Sequence, residues 1–237
     1  MRFKNIDYIL TDIEGTTTSV EFVYKVLFPY FLENIQQLEA LKSQKEVQDA
    51  FKATVQLAAK MENRRLTTSQ EIIATLNRWC LEDKKITPLK AVQGVIWKNG
   101  YESGKIKGHI YPDVPPVLEK WKSKGLKMGV FSSGSVAAQQ LIFGYSEMGD
   151  LSINFSHYFD TETGGKRESF TYEKITDVLN IEANRILFLS DVVEELQAAT
   201  EAGFQTCQLV RPGTISNWPN VATSFTEIEI EKDNEQF

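Results

Sequence analysis

Short, nearly continuous apolar runs alternate with helix-spaced ones along the second half of the chain. "LKMGVFSS" (126–133), "HYFD" (157–160), "RILFLSD" (185–191) and "FQTCQLV" (204–210) read as strands buried on both faces. Between them, residues 113–124, 135–144, 168–180 and 193–202 space their apolar positions as amphipathic helices do. Asp113 is expected to cap the first of these helices, and prolines are tolerated in its opening turn. Gly125 and Gly203 fall where helix C-terminal glycines belong. "IDYILTD" (6–12) has the same buried-strand character. The alternation predicts an α/β fold with a doubly wound, mostly parallel sheet and helices on both faces.

Residues 20 to about 105 follow another pattern. The stretches 20–41, 45–62, 69–83 and 88–104 all show helical spacing with little strand signal. An all-helical domain inserted after the first strand is therefore expected. It would span 20–105, and the α/β core would comprise 1–19 and 106–237. The closing segment "EIEIEKDNEQF" (227–237) is charged and is expected to fray.

Composition narrows the function. Of 237 residues, 26 are Lys or Arg and 32 are Asp or Glu, a net charge of -6. Such a surface repels nucleic-acid backbones, and no basic stripe interleaved with aromatics is present, so no nucleic-acid partner is expected. No apolar run approaches the ~20 residues of a membrane span. The two cysteines lie far apart and outside any CxxC arrangement, which suits a reducing compartment. With no signal-peptide core near the start, a cytoplasmic location is expected, with nuclear presence open in a eukaryote. The protein is expected to act as a monomer.

Asp12, Ser132 and Asp191 each stand at or beside the C-terminal end of an expected strand. In a parallel α/β sheet that rim is where ligands bind. Asp12 and Glu14 are two residues apart, which places both on one side of an extended segment. One carboxylate can then attack an electrophile while the other handles protons. An isolated D-x-E more often caps a turn, but here a buried strand precedes it and "GTTTS" follows. "SSGS" (132–135) leads from a strand into a helix, where hydroxyls and N–H groups can cradle an anion. Lys166 stands on a Gly-rich loop, and Arg167 after it excludes a Walker A motif. Asp191, with Glu195 four residues on, suits a hard cation such as Mg²⁺, Glu195 orienting water. Taken singly, Lys166 reads as a solvated lysine and Asp191 as a helix cap.

These four stretches, in this order, resemble the haloacid dehalogenase-like hydrolases. "DIEGTTTSVEFV", "LFPYF", "FSSGS", "LIFGYS" and "FLSDVVEEL" look closer still to the enolase-phosphatases of methionine salvage. The superfamily usually has Asp at the second acid, whereas Glu14 matches the enolase-phosphatase version. The resemblance implies that Asp12 is the nucleophile and Glu14 the acid–base group. It implies that Ser132 and Ser133 hold the phosphate and that Lys166 balances its charge. Mg²⁺ would be held by Asp12, Glu14 through its carbonyl, and Asp191. The helical insertion would be the family's cap. The implied substrate is the small phosphorylated molecule 2,3-diketo-5-methylthiopentyl-1-phosphate, enolised first and then hydrolysed to the acireductone. Enolisation needs a base, for which Glu14, Lys166 or a residue of the insertion could serve. Competing readings are another small-molecule phosphatase of the superfamily and a phospho-acceptor signalling module. A dehalogenase fits less well, because its chemistry needs neither the second acid nor a metal.

Overall fold

The computed structural model describes residues 1–231. The chain forms two compact units, one made of residues 1–20 with the chain from Gly108 onward, the other of Glu21–Lys107.

The first unit is built on a six-stranded, fully parallel sheet. Its strands are β2 (Tyr8–Thr11), β3 (Lys127–Phe131), β4 (His157–Phe159), β5 (Ile186–Ser190), β6 (Gln205–Leu209) and β7 (Val221–Ala222). They lie in the order β4-β3-β2-β5-β6-β7. β2 and β5 are buried along their whole length, as expected of central parallel strands. After β4 the chain reverses its direction along the sheet and resumes at β5, beside β2. Right-handed crossovers then send the helices to opposite faces. Val114–Ser123 and Val136–Gly144 serve the first direction, Ser169–Leu179 and Val193–Glu201 the second. Tyr172, Ile175, Leu196 and Ala199 from the second pair pack on Tyr8, Leu10, Phe131 and Phe188 of the sheet.

Two expectations are corrected here. Asp113 stands at the start of the helix Val114–Ser123, but its side chain makes no cap hydrogen bond. It is drawn off instead by a buried arginine, as described below. Part of the charged closing segment is ordered: β8 (Glu229–Glu231) pairs in parallel with β1 (Arg2–Lys4), and Ile230 is buried. Residues 232–237 of that segment lie outside the described residues.

The second unit is helical, with Lys45–Glu62, Ser69–Leu81 and Thr87–Glu102 as its longest elements. The middle one starts with a capping box, in which Thr68 and Glu71 each accept the other's backbone N–H. The expected single helix over 20–41 is broken into Val20–Phe22, a π-helical turn at Val23–Leu27, Phe28–Asn34 and Gln37–Leu41. Pro29 accounts for the turn: it lacks an N–H, and its ring would collide with the carbonyl four residues back in a regular α-helix. Trp79, Leu76, Val92 and Ile96 lie at the centre of this unit. Tyr101 is buried as well, and Trp97 stacks on Phe28 and donates to the Leu27 carbonyl. Both aromatics therefore belong to the packing of this unit.

Candidate active site

The sheet order has its switch point between β2 and β5, and the expected acids stand there. Asp12 follows the last residue of β2, and its N–H donates to Leu189 of β5 at 2.9 Å, so the ladder runs into the site. Asp191 follows the last residue of β5. Ser132 follows β3 on the other side of β2, with its N–H on the Phe159 carbonyl. Three adjacent strands thus deliver two acids and a hydroxyl to one rim.

After Asp12 the chain turns sharply. The Ile13 carbonyl accepts from the N–H groups of Thr16, Thr17 and Thr18, and Gly15 donates to the Thr18 carbonyl. Gly15 has φ +77, and a methyl group there would lie 2.3 Å from Asp191 Oδ2. Only glycine lets the turn approach the Asp191 carboxylate so closely. Hydroxyls of Thr11 and Thr17 donate to the Asp12 carbonyl. The small polar run after the acids therefore folds back onto them.

Lys166 is buried, not solvated. Its Nζ lies 2.7 Å from Asp12 Oδ1 and 2.6 Å from Glu195 Oε2, with the rings of Phe131 and Phe188 beneath it. Burial opposes its charge, but the Asp12 and Glu195 carboxylates outweigh that and hold the ammonium above the ordinary lysine value. Glu14 accepts from Ser132 Oγ at 3.1 Å, and the same Oγ accepts the Gly134 N–H. Burial, reinforced by the Asp12 charge, pushes the Glu14 carboxyl upward. The same two causes push Asp191 up to about 6 and Glu195 up to about 7. Ser133, next on the loop, is exposed.

One ammonium here faces four carboxyl groups, so the site carries more negative charge than its own lysine neutralises. Asp191 Oδ1 is buried with no hydrogen-bond partner among the described residues. No three acid, His or Cys side chains among the described residues converge as a metal cluster. A set of two carboxylates and one carbonyl has no need of three. Mg²⁺ is commonly held by one or two carboxylates, with water and phosphate completing its shell. The residues present fit that ion.

Asp12, Glu14, Ser132, Lys166 and Asp191 thus come together at one rim. The Asp191 side chain does not cap the following helix, whose N-cap is Val192. Glu195 is engaged with Lys166 and with Ser190 Oγ, at 2.9 Å from the latter. Sequence reading missed Gln139, which is buried and donates to the carbonyls of Gly134 and Phe159, tying the Ser132–Ser135 loop to β4. It also missed Gln208, which donates to the Asp191 carbonyl. Gln208 stands near the end of β6 and Gln139 in the first turns of the helix after the Ser132–Ser135 loop, but Phe159 and Asp191, which they reach, are remote in sequence.

Comparisons with known proteins point to one group. The haloacid dehalogenase-like hydrolase family matches residues 6–203. Enolase-phosphatase E1 of Picosynechococcus is 47% identical over 212 residues, covering 90% of this chain and 92% of its own. Enolase-phosphatase E1 of Pseudomonas aeruginosa strain LESB58 is 48% identical over 229 residues, covering 95% and 99%. Among solved structures, the UTR4 protein of Saccharomyces cerevisiae superposes with a TM-score of 0.77 at 30% identity, covering 92% of this chain and 98% of that one.

Proposed function

Because the chain belongs to the haloacid dehalogenase-like hydrolases, and within them to the enolase-phosphatases, we propose that the rim around Asp12 enolises 2,3-diketo-5-methylthiopentyl-1-phosphate and then hydrolyses it. The product is the acireductone of methionine salvage. The observation that carries the assignment of roles is the pairing at the end of β2. There Asp12 is fixed by the Lys166 ammonium, and Glu14, beside it, has a carboxyl raised toward the protonated form.

A carboxyl held toward its protonated form can donate a proton, and once ionised it can accept one. Lys166, held as an ammonium, is a donor and not a base. Glu14 is assigned as the base: as carboxylate it removes the C–H proton, and the electron pair passes to the neighbouring carbonyl oxygen as an enolate, which takes a proton from water. In the second step Asp12 attacks phosphorus, the bond to the ester oxygen breaks, and protonated Glu14 supplies that oxygen with its proton. Asp12 now carries the phosphoryl group. Glu14, as carboxylate, takes a proton from water while the water oxygen attacks phosphorus. Phosphate departs, Asp12 is restored, and Glu14 releases its proton to solvent, which returns it to the carboxylate that starts the enolisation. Lys166 and the hydroxyls of Ser132 and Ser133 offset charge on the phosphoryl oxygens. Asp12, the Glu14 carbonyl and Asp191 would hold Mg²⁺, which when bound neutralises charge on the phosphate. A monomer acting in the cytoplasm belongs to the same proposal.

Phosphate release from the diketo substrate and from p-nitrophenyl phosphate tests it. Asp12→Asn should abolish release from both. Glu14→Gln should slow the diketo reaction on the order of 10²–10⁴-fold and suffer less with the phenolic ester, whose leaving group needs little protonation. Mass spectrometry of quenched Glu14→Gln should find the phosphoryl adduct on Asp12. An adduct elsewhere, or an active Asp12→Asn, refutes the mechanism.

A further inference from the structure

Arg211, two residues beyond the end of β6, is a charged side chain only 7% exposed that no step above uses. Its guanidinium forms a bidentate pair with Asp113, Nη1 to Oδ1 at 3.1 Å and Nη2 to Oδ2 at 3.0 Å. It lies over the Tyr111 ring, 4.1 Å from the centroid, and Nη1 also reaches the Thr223 carbonyl. The carboxylate is fixed in turn, since Asp113 Oδ2 accepts from the Phe225 N–H at 2.7 Å and from Ser224 Oγ at 3.1 Å. Of the donors that remain, Nε points elsewhere. Arg211 Nε donates to the Thr16 carbonyl at 3.1 Å.

Thr16 belongs to the turn that follows the acid pair. Its N–H is bonded to the Ile13 carbonyl, and its neighbour Gly15 lies against the Asp191 carboxylate. A shift of the Thr16 peptide therefore moves Glu14 on one side and the gap between Gly15 and Asp191 on the other. We infer that Arg211 is a positioning residue. Locked by Asp113, it holds the Thr16 carbonyl and thereby fixes the spacing of Asp12, Glu14 and Asp191. Gln208, within β6 itself, reaches the Asp191 carbonyl at 3.0 Å. The end of β6 thus grips both acid-bearing turns from behind, touching neither carboxylate. A lysine could keep the charge but not this division of donors, because a guanidinium presents its N–H groups in a rigid plane.

The inference rests on the reading of Asp12, Glu14 and Asp191 given above, and the test separates the two. Arg211→Lys keeps the cation and loses the fork. Removing one partner of a buried pair can unfold a protein, whereas removing both charges spares it an uncompensated ion. The double variant Arg211→Met/Asp113→Asn is therefore the second arm; its amide oxygen can still accept from Phe225 and Ser224. Hydrogen exchange of the amides of residues 13–18 reads the turn directly. The stabilisation produced by added Mg²⁺, followed by thermal denaturation, reads the acid spacing without turnover. Both variants should exchange faster at 16–18 and need more Mg²⁺ for half-maximal stabilisation. Their kcat should fall by about 10- to 100-fold, the scale of a misplaced reacting group, with a smaller change in KM. A folded double variant with wild-type exchange at 16–18, wild-type Mg²⁺ response and wild-type kcat overturns the inference. Wild-type protein that releases no phosphate would overturn the functional reading instead, while the exchange measurement would still decide the role of Arg211.

Discussion

Gly15 sits where two acid-bearing turns meet, and two separate constraints fall on it. Its φ of +77 lies in the left-handed region, which costs an L-residue about 1–2 kcal/mol. A methyl group there also strikes the Asp191 carboxylate. Gly149 isolates the first constraint, with φ +91 and open space where a Cβ would stand. Gly149→Ala should lower the melting temperature and keep phosphatase activity. Gly15→Ala should lower it further and lose most activity and most of the response to Mg²⁺. Parallel melting curves with and without the ion, beside a phosphate-release assay, check the pair. Equal behaviour of the two variants would mean that the approach to Asp191 is unimportant. The acids themselves were legible in the sequence because each ends an apolar run, and a carboxylate there has no packing reason to be present. From its neighbours in sequence Lys166 was legible only as a loop lysine, and the family resemblance placed it in the site; its burial depends on Phe131 and Phe188 from other strands. Arg211 carried no signal at all, because the residue that explains it, Asp113, is remote in sequence.

Among the elements, central strands announce themselves and peripheral ones do not. β2, β3 and β5 are short, largely apolar runs because both faces are covered, whereas β6 is as well buried yet carries Gln205, Thr206 and Gln208. β1 and β8 have three residues each and β7 two, half of them polar or exposed, so no run marks them. The helices of the second unit were readable from their spacing, apart from the interruption near Pro29. What spacing does not reveal is how that unit is pinned. Glu62, at the end of one helix, accepts from the indole N–H of the fully buried Trp79 at 2.6 Å and pairs with Arg78 and Lys84. The Trp79 hydrogen bond, followed by the cations, holds its carboxyl down at about 2. A depressed carboxyl contributes stability that is present above its unfolded value near 4.5 and lost as pH falls toward 2. Glu62→Ala should cost about 1–3 kcal/mol at neutral pH by leaving the indole N–H unpaired. Urea titrations at pH 7 and pH 3 should show that penalty shrinking in acid. A penalty equal at both pH values would exclude Glu62 as the source.

For the whole molecule, charge at the rim couples stability to protons and to metal. Burial and the Asp12 charge raise Asp191 to about 6, so between about 4 and 6 the metal-free native state holds a proton the unfolded chain has released. Metal-free stability should therefore decline as pH rises through that window. A cation binding there must displace the proton, so Mg²⁺ should stabilise more at pH 7.5 than at pH 5. Calorimetry in two buffers of different ionisation heat should detect proton release near pH 5.5. Identical heats in both would contradict the coupling.

The pairing of the strands also sets a timetable for biosynthesis. β2, at the middle of the sheet, pairs with β3 about 120 residues downstream, and ribosomes add roughly 5–20 residues per second. This apolar strand must wait several seconds for its first neighbour, while the helical segment emerges in between. β1 waits longer still, since its partner β8 ends at residue 231. The nascent chain thus exposes "YILT" throughout most of its translation, which makes β2 the segment a ribosome-associated chaperone would be expected to shield.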